Sequence, residues 1–496
     1  MERTLAHTRG SVKELLHIYR SKTIVFPTRA GCKFLGRFSQ ACLKTKSYDS
    51  SSHNLKNSRL SATLPSRQSG VDLIKGATFR PVKERVDIAK EPNESLSLDS
   101  AFASDWILSR PELQESCEAG QRLRVAVLLS GGVDSSLALK LLHTAGHDVK
   151  AFYLKIWFQE DFRNFWDACP WEEDLYYAQK VCESLGVELE AVPLTEQYWD
   201  RVVRESVRAI RRGLTPNPDV LCNSRVKFGA FCEMLQAERP GEFDRVASGH
   251  YARLRRPRDK GGSGSGAAVE LRTTPDAVKD QTYFLAQLSQ EQLSRAMFPL
   301  GPLTKPEVRA MARAAGLATQ GRKDSQGICF LGKVRFGEFV REHLGEWPGL
   351  IVEEETGRQL GFHRGFWFYT IGQRSGLLLP DGPWYVVRKD IDMNVVYASK
   401  HYYSDEKMRR RFSCGRVNWI SGSRPDPEDG PIQCKVRHGP KTYNCELEHD
   451  RAGRVLVELD RDDQGLACGQ YAAFYQAGKC LGCGMIQEHR QKGMDG

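Results

Sequence analysis

A glycine-rich turn between an apolar run and a helical pattern constrains the fold of this chain more than any other feature. Val125 to Leu129 is typical of a buried parallel strand, and Leu137 to His143 has the apolar spacing of a helix. Between them, Ser130-Gly-Gly-Val-Asp-Ser-Ser136 brings backbone N–H groups together with no Cβ in the way. Free N–H donors and the helix dipole favour an anion at a helix N-terminus. The pattern therefore predicts a strand, a phosphate-binding loop and a helix.

Two glycines alone also occur in ordinary tight turns, so the remaining residues of the loop decide its meaning. A P-loop would place a Lys against the phosphates, and none stands here. The full pattern Ser-Gly-Gly-x-Asp-Ser instead resembles the loop of the ATP-pyrophosphatases, which implies that it holds pyrophosphate while an acceptor is adenylated.

Strands and helices alternate after this loop. The predicted elements are a strand from Val149 to Trp157, a helix from Asp174 to Leu185, a strand from Val187 to Leu194 and a helix from Glu196 to Arg212. This alternation predicts an α/β fold with a doubly wound parallel sheet. Ligands of such sheets bind beyond the carboxyl ends of the strands, where residues 130–136 would lie.

The N-terminal region differs in composition from the rest of the 496-residue chain. Residues 1–70 contain thirteen Lys and Arg against three acidic residues, which accounts for the whole net charge of +10. A basic, Ser-rich and acid-poor start is typical of an organellar transit peptide, so we expect a soluble protein of the mitochondrion or the plastid, or both. A disordered basic tail that binds nucleic acid is the alternative. Residues 71–120 are polar and aperiodic and are predicted to be a disordered linker.

The chain has no apolar run long enough for a membrane span, so no membrane partner is expected. Its fourteen Cys are dispersed and no secretory signal precedes them, which favours free thiols in a reducing compartment.

Cys222 is one of two cysteines in an unusual setting. Thr215-Pro-Asn-Pro-Asp-Val-Leu-Cys222 predicts an extended lead-in and a helix capped by Asn217 or Asp219. Asp219 and Cys222 would then share the first helical turn. A helix N-terminus with Arg225 and Lys227 nearby lowers the pKa of a thiol, and Asp219 could move a proton. A buried, inert cysteine is the alternative.

Cys329 is the other unusual cysteine. It follows the polar, glycine-containing stretch Lys323-Asp-Ser-Gln-Gly-Ile328, in which an accessible thiolate is expected. We assign residues 121–331 to the catalytic domain.

Two smaller domains are predicted to follow. Residues 332–403 form a mixed central module, and residues 404–488 form a small antiparallel β-barrel of short alternating runs, with a tail at 489–496. Alternation places Lys435 and Arg437 on the outer face of one run, where they would either track a phosphate backbone or be solvated. Cys480 and Cys483 are spaced like zinc ligands but lack a second pair, so we expect both thiols inside a barrel strand and no metal site.

Taken together, these motifs closely resemble the bacterial-type tRNA-specific 2-thiouridylases, which convert the wobble uridine of certain tRNAs to 2-thiouridine. The resemblance covers residues 122–487. It is carried by the loop at 130–136, the two cysteine motifs, Ser248-Gly-His-Tyr-Ala-Arg253, Lys279-Asp-Gln-Thr-Tyr-Phe-Leu285 and Phe368-Tyr-Thr-Ile-Gly-Gln-Arg374.

The resemblance implies an ATP-dependent sulfurtransferase that uses Mg²⁺ and accepts sulfur from a persulfide donor such as a cysteine desulfurase or a relay protein. It also implies a monomer. Cys329 would carry the persulfide, Cys222 would be the partner thiol and Asp219 the acid/base. The implied ATP contacts are Leu128, Leu129, Ser130, Gly131, Gly132, Val133, Asp134, Ser135, Leu154 and Gly249. The implied contacts with tRNA are Asn217, Pro218, Asp219, His250, Lys279, Asp280, Gln281, Arg437, His438 and Gln470.

Two other functions remain open at this point. An amidotransferase-like synthetase that adenylates a small metabolite would need no pair of reactive cysteines. A catalytically dead RNA-binding module would bind tRNA without exchanging pyrophosphate with ATP.

Overall fold

The structure of the protein is a computed structural model that describes residues 109–156, 170–256, 268–324, 336–402, 409–450, 453–463 and 465–487. The predicted transit peptide, Cys329 and the predicted tail lie outside the described residues.

Five parallel strands form the sheet of the catalytic domain, in the spatial order β3-β2-β1-β4-β7. They are β1 (Arg124–Leu128), β2 (Asp148–Lys155), β3 (Leu189–Pro193), β4 (Arg245–Ser248) and β7 (Ala296–Met297). The chain runs outward from β1 to β3 and then returns to place β4 on the other side of β1. This reversal opens a crevice between the carboxyl ends of β1 and β4, which is where such sheets bind ligands.

Helices cover both faces of this sheet. They are α1 (Pro111–Ser116), α2 (Val133–Thr144), α3 (Pro170–Leu185), α4 (Thr195–Tyr198), α5 (Arg204–Arg211), α6 (Pro218–Cys222), α7 (Phe231–Glu238), α8 (Thr282–Leu285), α9 (Gln290–Arg295) and α10 (Lys305–Ala314). Two π-helical segments, π1 (Trp199–Val203) and π2 (Asn223–Ala230), continue α4 and α6 without a break.

The two faces of strand β1 explain why its residues are continuously apolar. Val125 and Val127 pack into the core beneath α2, α3 and α10, whereas Ala126 and Leu128 pack into the core beneath α4 to α7. A strand buried on both faces has no polar side to alternate with. The predicted doubly wound parallel sheet is confirmed.

The stretch before Arg122 differs from the prediction of a disordered linker to residue 120. Helix α1 lies there, with Leu113 and Cys117 fully buried. Glu118 forms ion pairs with Arg245 at 2.9 Å and with Arg256 at 2.8 Å. Tertiary packing and these two charge pairs order a segment whose local sequence has no clear periodicity.

The central module is a four-stranded sheet with the order β10-β11-β8-β9. Its strands are β8 (Gly349–Glu353), β9 (Gln359–His363), β10 (Tyr385–Asp390) and β11 (Val395–Ser399), preceded by α11 (Phe336–Leu344). Only the pairing of β8 with β11 is parallel among its described strands.

The C-terminal domain is a six-stranded antiparallel barrel, as predicted. Its strands run in the order β12-β16-β15-β14-β17-β18, and pairing of β12 with β18 closes the ring. They are β12 (Arg409–Cys414), β14 (Gln433–Lys435), β15 (Tyr443–His449), β16 (Val455–Asp463), β17 (Tyr471–Gln476) and β18 (Lys479–Gln487), with the short β13 (Asn418–Trp419) beside β18.

A hairpin from the catalytic domain extends the barrel. Strands β5 (Arg253–Arg255) and β6 (Glu270–Arg272) pair with each other, and β6 pairs with β18. The sequence did not predict this pairing between the catalytic domain and the barrel, because the two short strands lie on either side of a Gly/Ser-rich insertion.

Lys435 corrects the prediction of an outward-facing basic row on the barrel. It is 6% exposed, and its Nζ lies 3.8 Å from the buried carboxylate of Asp280. The catalytic domain covers this side of the barrel, so a face that alternation assigns to solvent is an interface between domains.

Within the described residues, no helix has both the length and the apolar character that a membrane crossing requires.

Candidate active site

The phosphate loop is held in shape by its own serines and by α3. The Ser135 hydroxyl accepts a hydrogen bond from the Ser130 backbone N–H at 3.1 Å and donates to the Gly132 carbonyl at 3.2 Å. Gly131 has a φ of +72°, and a Cβ there would lie 2.1 Å from the carbonyl oxygen of Asp174. No side chain caps the N-terminus of α2 in the described contacts. The first N–H groups of α2 therefore face the crevice as anion donors.

Gly249 closes the crevice from the side of β4. A Cβ at this position would lie 2.7 Å from the carbonyl carbon of Asp134 and 2.7 Å from the backbone nitrogen of Ser135. Only glycine allows the end of β4 to approach α2 this closely. Leu154 lies near the end of β2, on the other side of β1. The ends of β1, β2 and β4 thus carry the residues that the sequence assigned to ATP.

A network of charged side chains surrounds the loop. The Lys305 ammonium donates to both carboxylate oxygens of Asp134, at 2.7 and 2.9 Å, and lies 3.0 Å from Asp324. Lys279 pairs with Asp324 at 2.8 Å, and Arg309 pairs with the same carboxylate. Burial opposes ionisation of Asp324, but hydrogen bonds from Lys279, Lys305 and Arg309 outweigh it and lower its pKa. This arrangement concentrates cations beside a phosphate site.

Arg322 adds a further cation on the opposite side. Its guanidinium donates to the Gly131 carbonyl at 2.7 Å and pairs with Asp174 at 2.8 Å. Sequence reasoning missed Lys305, Arg309, Arg322 and Asp324 as site residues. Lys305 and Arg309 lie on α10, whose sequence shows only a capping box and a helix. Arg322 and Asp324 lie at the start of the Cys329 motif, which was judged only by its cysteine.

Cys222 lies at the end of α6, whose start follows the predicted pattern. The Asn217 side chain accepts a hydrogen bond from the Val220 N–H at 3.3 Å and so caps the helix. The thiol differs from the prediction, because Cys222 is only 1% exposed. Burial raises its pKa to about 11, Lys227 opposes that shift and Asp219 adds to it. The predicted lowering of the thiol pKa is wrong, because removal of water outweighs the helix N-terminus and the nearby cation.

The π2 segment after Cys222 is held open by a glutamine from α9. Gln292 donates from Nε2 to the carbonyl of Ser224 at 2.7 Å and to the carbonyl of Phe228 at 3.0 Å. Arg201 and Arg225 each donate to the backbone carbonyl of the other at 3.2 Å, which ties π1 to π2. A π-helix leaves carbonyl groups poorly matched to the usual helical donors. These side chains supply the missing donors next to Cys222.

The barrel holds the loop that precedes Cys222. Gln470 accepts from the Asn217 amide at 3.1 Å and donates to the carbonyls of Thr215 and Pro216, both at 3.2 Å. Residues Asn217, Pro218 and Asp219 are thus positioned by Gln470. That these three residues contact the target base of the tRNA stays a prediction.

The other residues assigned to tRNA are largely engaged with the protein itself. His250 is hydrogen-bonded to Ser248 at 2.7 Å, and burial keeps its pKa well below the usual range, so its imidazole is neutral. Asp280 is 3% exposed and accepts from Thr274 N–H at 2.9 Å, and Gln281 accepts from Tyr251 N–H at 2.9 Å. His438 stacks on Phe284 at 4.5 Å, and Arg437 pairs with Asp463. These side chains shape the surface between the domains, and their contacts with RNA stay predictions.

The π2 segment, which follows Cys222 in the chain, also lies against His250, since the rings of Phe228 and His250 are 6.3 Å apart. The charge of Lys227, in the same segment, favours a lower pKa for both the Cys222 thiol and the His250 imidazole. His250 follows Gly249, which packs against Asp134 and Ser135 at the start of α2. One set of neighbouring residues therefore joins the anion site to the cysteine, as an enzyme that activates and then attacks a substrate requires.

The described residues contain no group of three or more His, Cys, Asp or Glu side chains arranged to hold a metal. Mg²⁺ in phosphate sites uses one or two carboxylates together with phosphate oxygens and water, so it needs no such group. Asp134 is the candidate carboxylate, because it is 32% exposed at the start of α2. Its two oxygens accept from Lys305, so Mg²⁺ would take the place of that ammonium.

Comparison with protein-family models matches all three domains in order. The models described as tRNA methyl transferase HUP domain, tRNA methyl transferase PRC-barrel domain and Aminomethyltransferase beta-barrel domain match residues 123–333, 337–400 and 409–486.

Curated relatives agree over nearly their whole length. The tRNA-specific 2-thiouridylase MnmA of Parabacteroides distasonis is 42% identical over 372 residues, which are 73% of this chain and 99% of that protein. The tRNA-specific 2-thiouridylase MnmA of Porphyromonas gingivalis is 43% identical over 375 residues, with 74% and 99% covered. Among solved structures, the U34-tRNA thiolase NcsA from Methanococcus maripaludis is 15% identical over 47% of this chain and 68% of that chain. Its TM-score of 0.28 is too low to carry an argument.

The curated relatives cover all three described domains at an identity well above the level at which a family is shared. The chain belongs to the tRNA-specific 2-thiouridylase family.

Proposed function

We propose that this protein is a tRNA-uridine 2-sulfurtransferase that replaces the 2-oxygen of a wobble uridine with sulfur at the expense of ATP. The observation that carries the proposal is the set of contacts, through Phe228, His250 and Gly249, that links the segment after Cys222 to the phosphate loop. The names of the curated relatives support tRNA as the substrate and 2-thiolation of uridine as the reaction.

The phosphate loop would serve the first step. The uridine 2-carbonyl is a poor electrophile, so its oxygen attacks the α-phosphate of ATP and becomes part of a good leaving group. Backbone N–H groups of α2, with Lys305 and Lys279, stabilise the departing pyrophosphate. Mg²⁺ held by Asp134 would supply further neutralisation of phosphate charge.

The cysteines would serve the second step. The terminal sulfur of a Cys329 persulfide attacks the activated carbon, and AMP leaves with the former 2-oxygen. The Cys222 thiolate then attacks the sulfur of Cys329, which releases 2-thiouridine and leaves a Cys222–Cys329 disulfide for reduction by an external thiol. Attack of Cys222 on the persulfide first, with release of sulfide to the activated carbon, is the alternative order. Both orders need a Cys222 thiolate.

Asp219 is the proposed acceptor of the Cys222 proton. It lies three residues earlier, in the first turn of α6, and its charge acts on the thiol. Because burial raises the pKa of Cys222 to about 11, the resting thiol is neutral at neutral pH. Formation of the Cys222 thiolate therefore requires both a base and a change in the solvation of the thiol when the substrate binds.

The location, the oligomeric state and the sulfur donor are proposed from the sequence alone. The basic leader supports delivery to the mitochondrion or the plastid, and we propose a monomer that receives sulfur from a cysteine desulfurase or a relay protein.

The test combines the purified chain with an unmodified tRNA transcript, ATP, Mg²⁺ and a persulfide donor, and analyses the digested nucleosides by mass spectrometry. The expected product is a wobble nucleoside heavier by the difference between sulfur and oxygen. A methylated nucleoside would instead favour methyl transfer, the activity after which the matching family model is named. Unmodified tRNA with no ATP consumption would favour a non-catalytic RNA-binding module, and ATP consumption without tRNA would favour a metabolite synthetase.

A further inference from the structure

A cleft separate from the phosphate loop and Cys222 lies between the end of α5 and the central module. It has a volume of about 550 Å³ and is lined by Arg211, Arg212, Trp347, Trp367, Ile391 and Asp392, among other residues. Its size falls within the range of sites that hold small molecules or nucleotides.

The aromatic wall of the cleft is rigid but uncovered. Trp347 is 43% exposed, and its ring lies 5.8 Å from that of Trp367. The buried Asn394 donates from Nδ2 to the carbonyls of Trp347 and Pro348, at 2.9 and 3.0 Å. The Trp367 indole donates to the Gly345 carbonyl at 3.3 Å. The backbone of residues 347–348 is therefore held in place, and nearly half of the Trp347 side chain stays open to solvent beside the cleft, where a base could stack on it.

The two arginines give the cleft an excess of positive charge. Arg204 and Arg208, on the same helix, pair at 2.7 Å with Asp200 and Glu205 respectively. Across the described part of the chain, no ion pair or side-chain hydrogen bond is recorded for Arg211 or Arg212, and both are exposed. Cations at a helix C-terminus are favourable without any ligand. That effect does not account for an exposed tryptophan beside them.

The cleft is linked to the predicted base-binding loop by a short, well-held stretch of chain. Arg212 precedes Asn217 by five residues, a span of at most roughly 18 Å. Gly213 packs against Ile391 so closely that a Cβ would lie 2.6 Å from it, and the Thr215 N–H donates to the Cys468 carbonyl at 2.8 Å. An RNA strand whose wobble base reaches Asn217 therefore passes within a few nucleotides of the cleft.

We propose that this cleft binds one unpaired nucleotide of the tRNA anticodon loop, next to the wobble uridine. Its base stacks on Trp347, and its phosphate lies between Arg211 and Arg212. The inference rests on the proposed function, since it takes tRNA as the substrate. It adds a stacking site on the central module that holds the loop while the wobble uridine leaves its stack.

The test measures binding of a fluorescent anticodon stem-loop RNA to the full chain. Trp347→Ala is expected to weaken binding about 10-fold. Abasic nucleotides are then placed one at a time through the anticodon loop. At one position next to the wobble uridine, the abasic nucleotide is expected to weaken binding to the wild-type protein about 10-fold. At the same position it is expected to cause no additional loss of binding to the Trp347→Ala protein. The double variant Arg211→Ser/Arg212→Ser is expected to reduce the salt dependence of binding by about one counterion, since the two arginines share one phosphate, and each single variant by less.

Two variants provide matched controls. Phe362→Ala removes an aromatic side chain that is 60% exposed on β9 of the same module. Arg208→Ser removes one charge from the same helix, where Glu205 already pairs with it. Both are expected to bind the stem-loop like the wild type.

Three results would overturn the inference while leaving the proposed function intact. The first is unchanged stem-loop binding by Trp347→Ala. The second is a Trp347→Ala protein that binds whole tRNA more weakly than the wild type but binds the stem-loop equally well. The third is a Trp347→Ala protein that binds RNA normally but receives sulfur more slowly from a cysteine desulfurase. That result would make the cleft a protein-docking site. Failure of the wild-type chain to bind the stem-loop would overturn the proposed function itself.

Discussion

The phosphate loop and the cysteine helix are two parts of one candidate site, and they are built differently. The loop consists of backbone N–H groups, two glycines and hydroxyls within six residues, so the hydrogen bonds that shape it come largely from the loop itself, while Arg322 and Gly249 only pack against it. The environment of Cys222 is set by burial and by side chains from α9, π1 and the barrel. Local sequence therefore predicts the anion site well and the state of the thiol poorly. The two parts should also fail independently when mutated.

Cys222→Ala is the change expected to separate the two parts most completely. Thiolation should fall by on the order of 10³-fold or more, because the partner thiol is lost, whereas tRNA-dependent exchange of labelled pyrophosphate into ATP should persist. Both rates are measured on the same preparation. Cys182→Ala is the matched control, since burial likewise raises the pKa of that thiol to about 11 and it lies on α3. Loss of exchange in Cys222→Ala, with normal exchange in Cys182→Ala, would show that the two parts do not act separately.

The neutral thiol gives a second prediction. At pH 8, a thiol with a pKa of about 11 is almost wholly protonated, and Cys222 is also buried, so iodoacetamide should label Cys222 far more slowly than Cys468, whose side chain is partly exposed. Because ionisation increases with pH, labelling of Cys222 should accelerate about 10-fold per pH unit between pH 8 and pH 10. Mass spectrometry of the digested protein gives both rates. Fast labelling of Cys222 at neutral pH would mean that the thiol is activated before substrate binds.

Gly249→Ala tests the phosphate side. The added Cβ would lie 2.7 Å from the backbone of Asp134 and Ser135, so α2 or β4 must shift at a cost of about 1–3 kcal/mol of unfolding free energy. We expect the KM for ATP to rise by about one order of magnitude, because the N–H groups of the loop lose their alignment. Gly337→Ala is the control, since a Cβ there has no atom within 4 Å and it lies in helix α11. Thermal unfolding and ATP titration distinguish the two variants.

The same contrast explains how much the sequence predicts. Binary patterning of β1 predicts a sheet with helices on both faces, because burial on two sides leaves no polar positions. It cannot predict that Lys435 is buried against Asp280, because that depends on how the barrel packs on the catalytic domain. Lys305 illustrates the same limit inside the site. Its sequence context indicates only a helix start, whereas the fold places its ammonium on Asp134, 171 residues earlier.

The smallest expected effect tests whether π2 positions Cys222. Gln292→Met removes the two hydrogen bonds to the carbonyls of Ser224 and Phe228, and also the capping bond that its Oε1 accepts from the Ser289 N–H at 3.0 Å; it should destabilise the protein by about 1–3 kcal/mol. If the opened π turn sets the position of Cys222, sulfur transfer should slow about 10-fold, while pyrophosphate exchange and stem-loop binding stay unchanged. Gln290→Met is the matched control, because Gln290 lies on the same helix and makes two similar hydrogen bonds to the backbone of Val269, at 2.9 and 2.8 Å, away from the cysteine. Gln292→Met should unfold at the lower temperature of the two, because it alone loses the capping bond to Ser289, so the rates are compared well below both unfolding temperatures. Equal sulfur-transfer rates in the two would show that π2 contributes stability alone, whereas a loss confined to Gln292→Met makes Gln292 a positioning residue for Cys222.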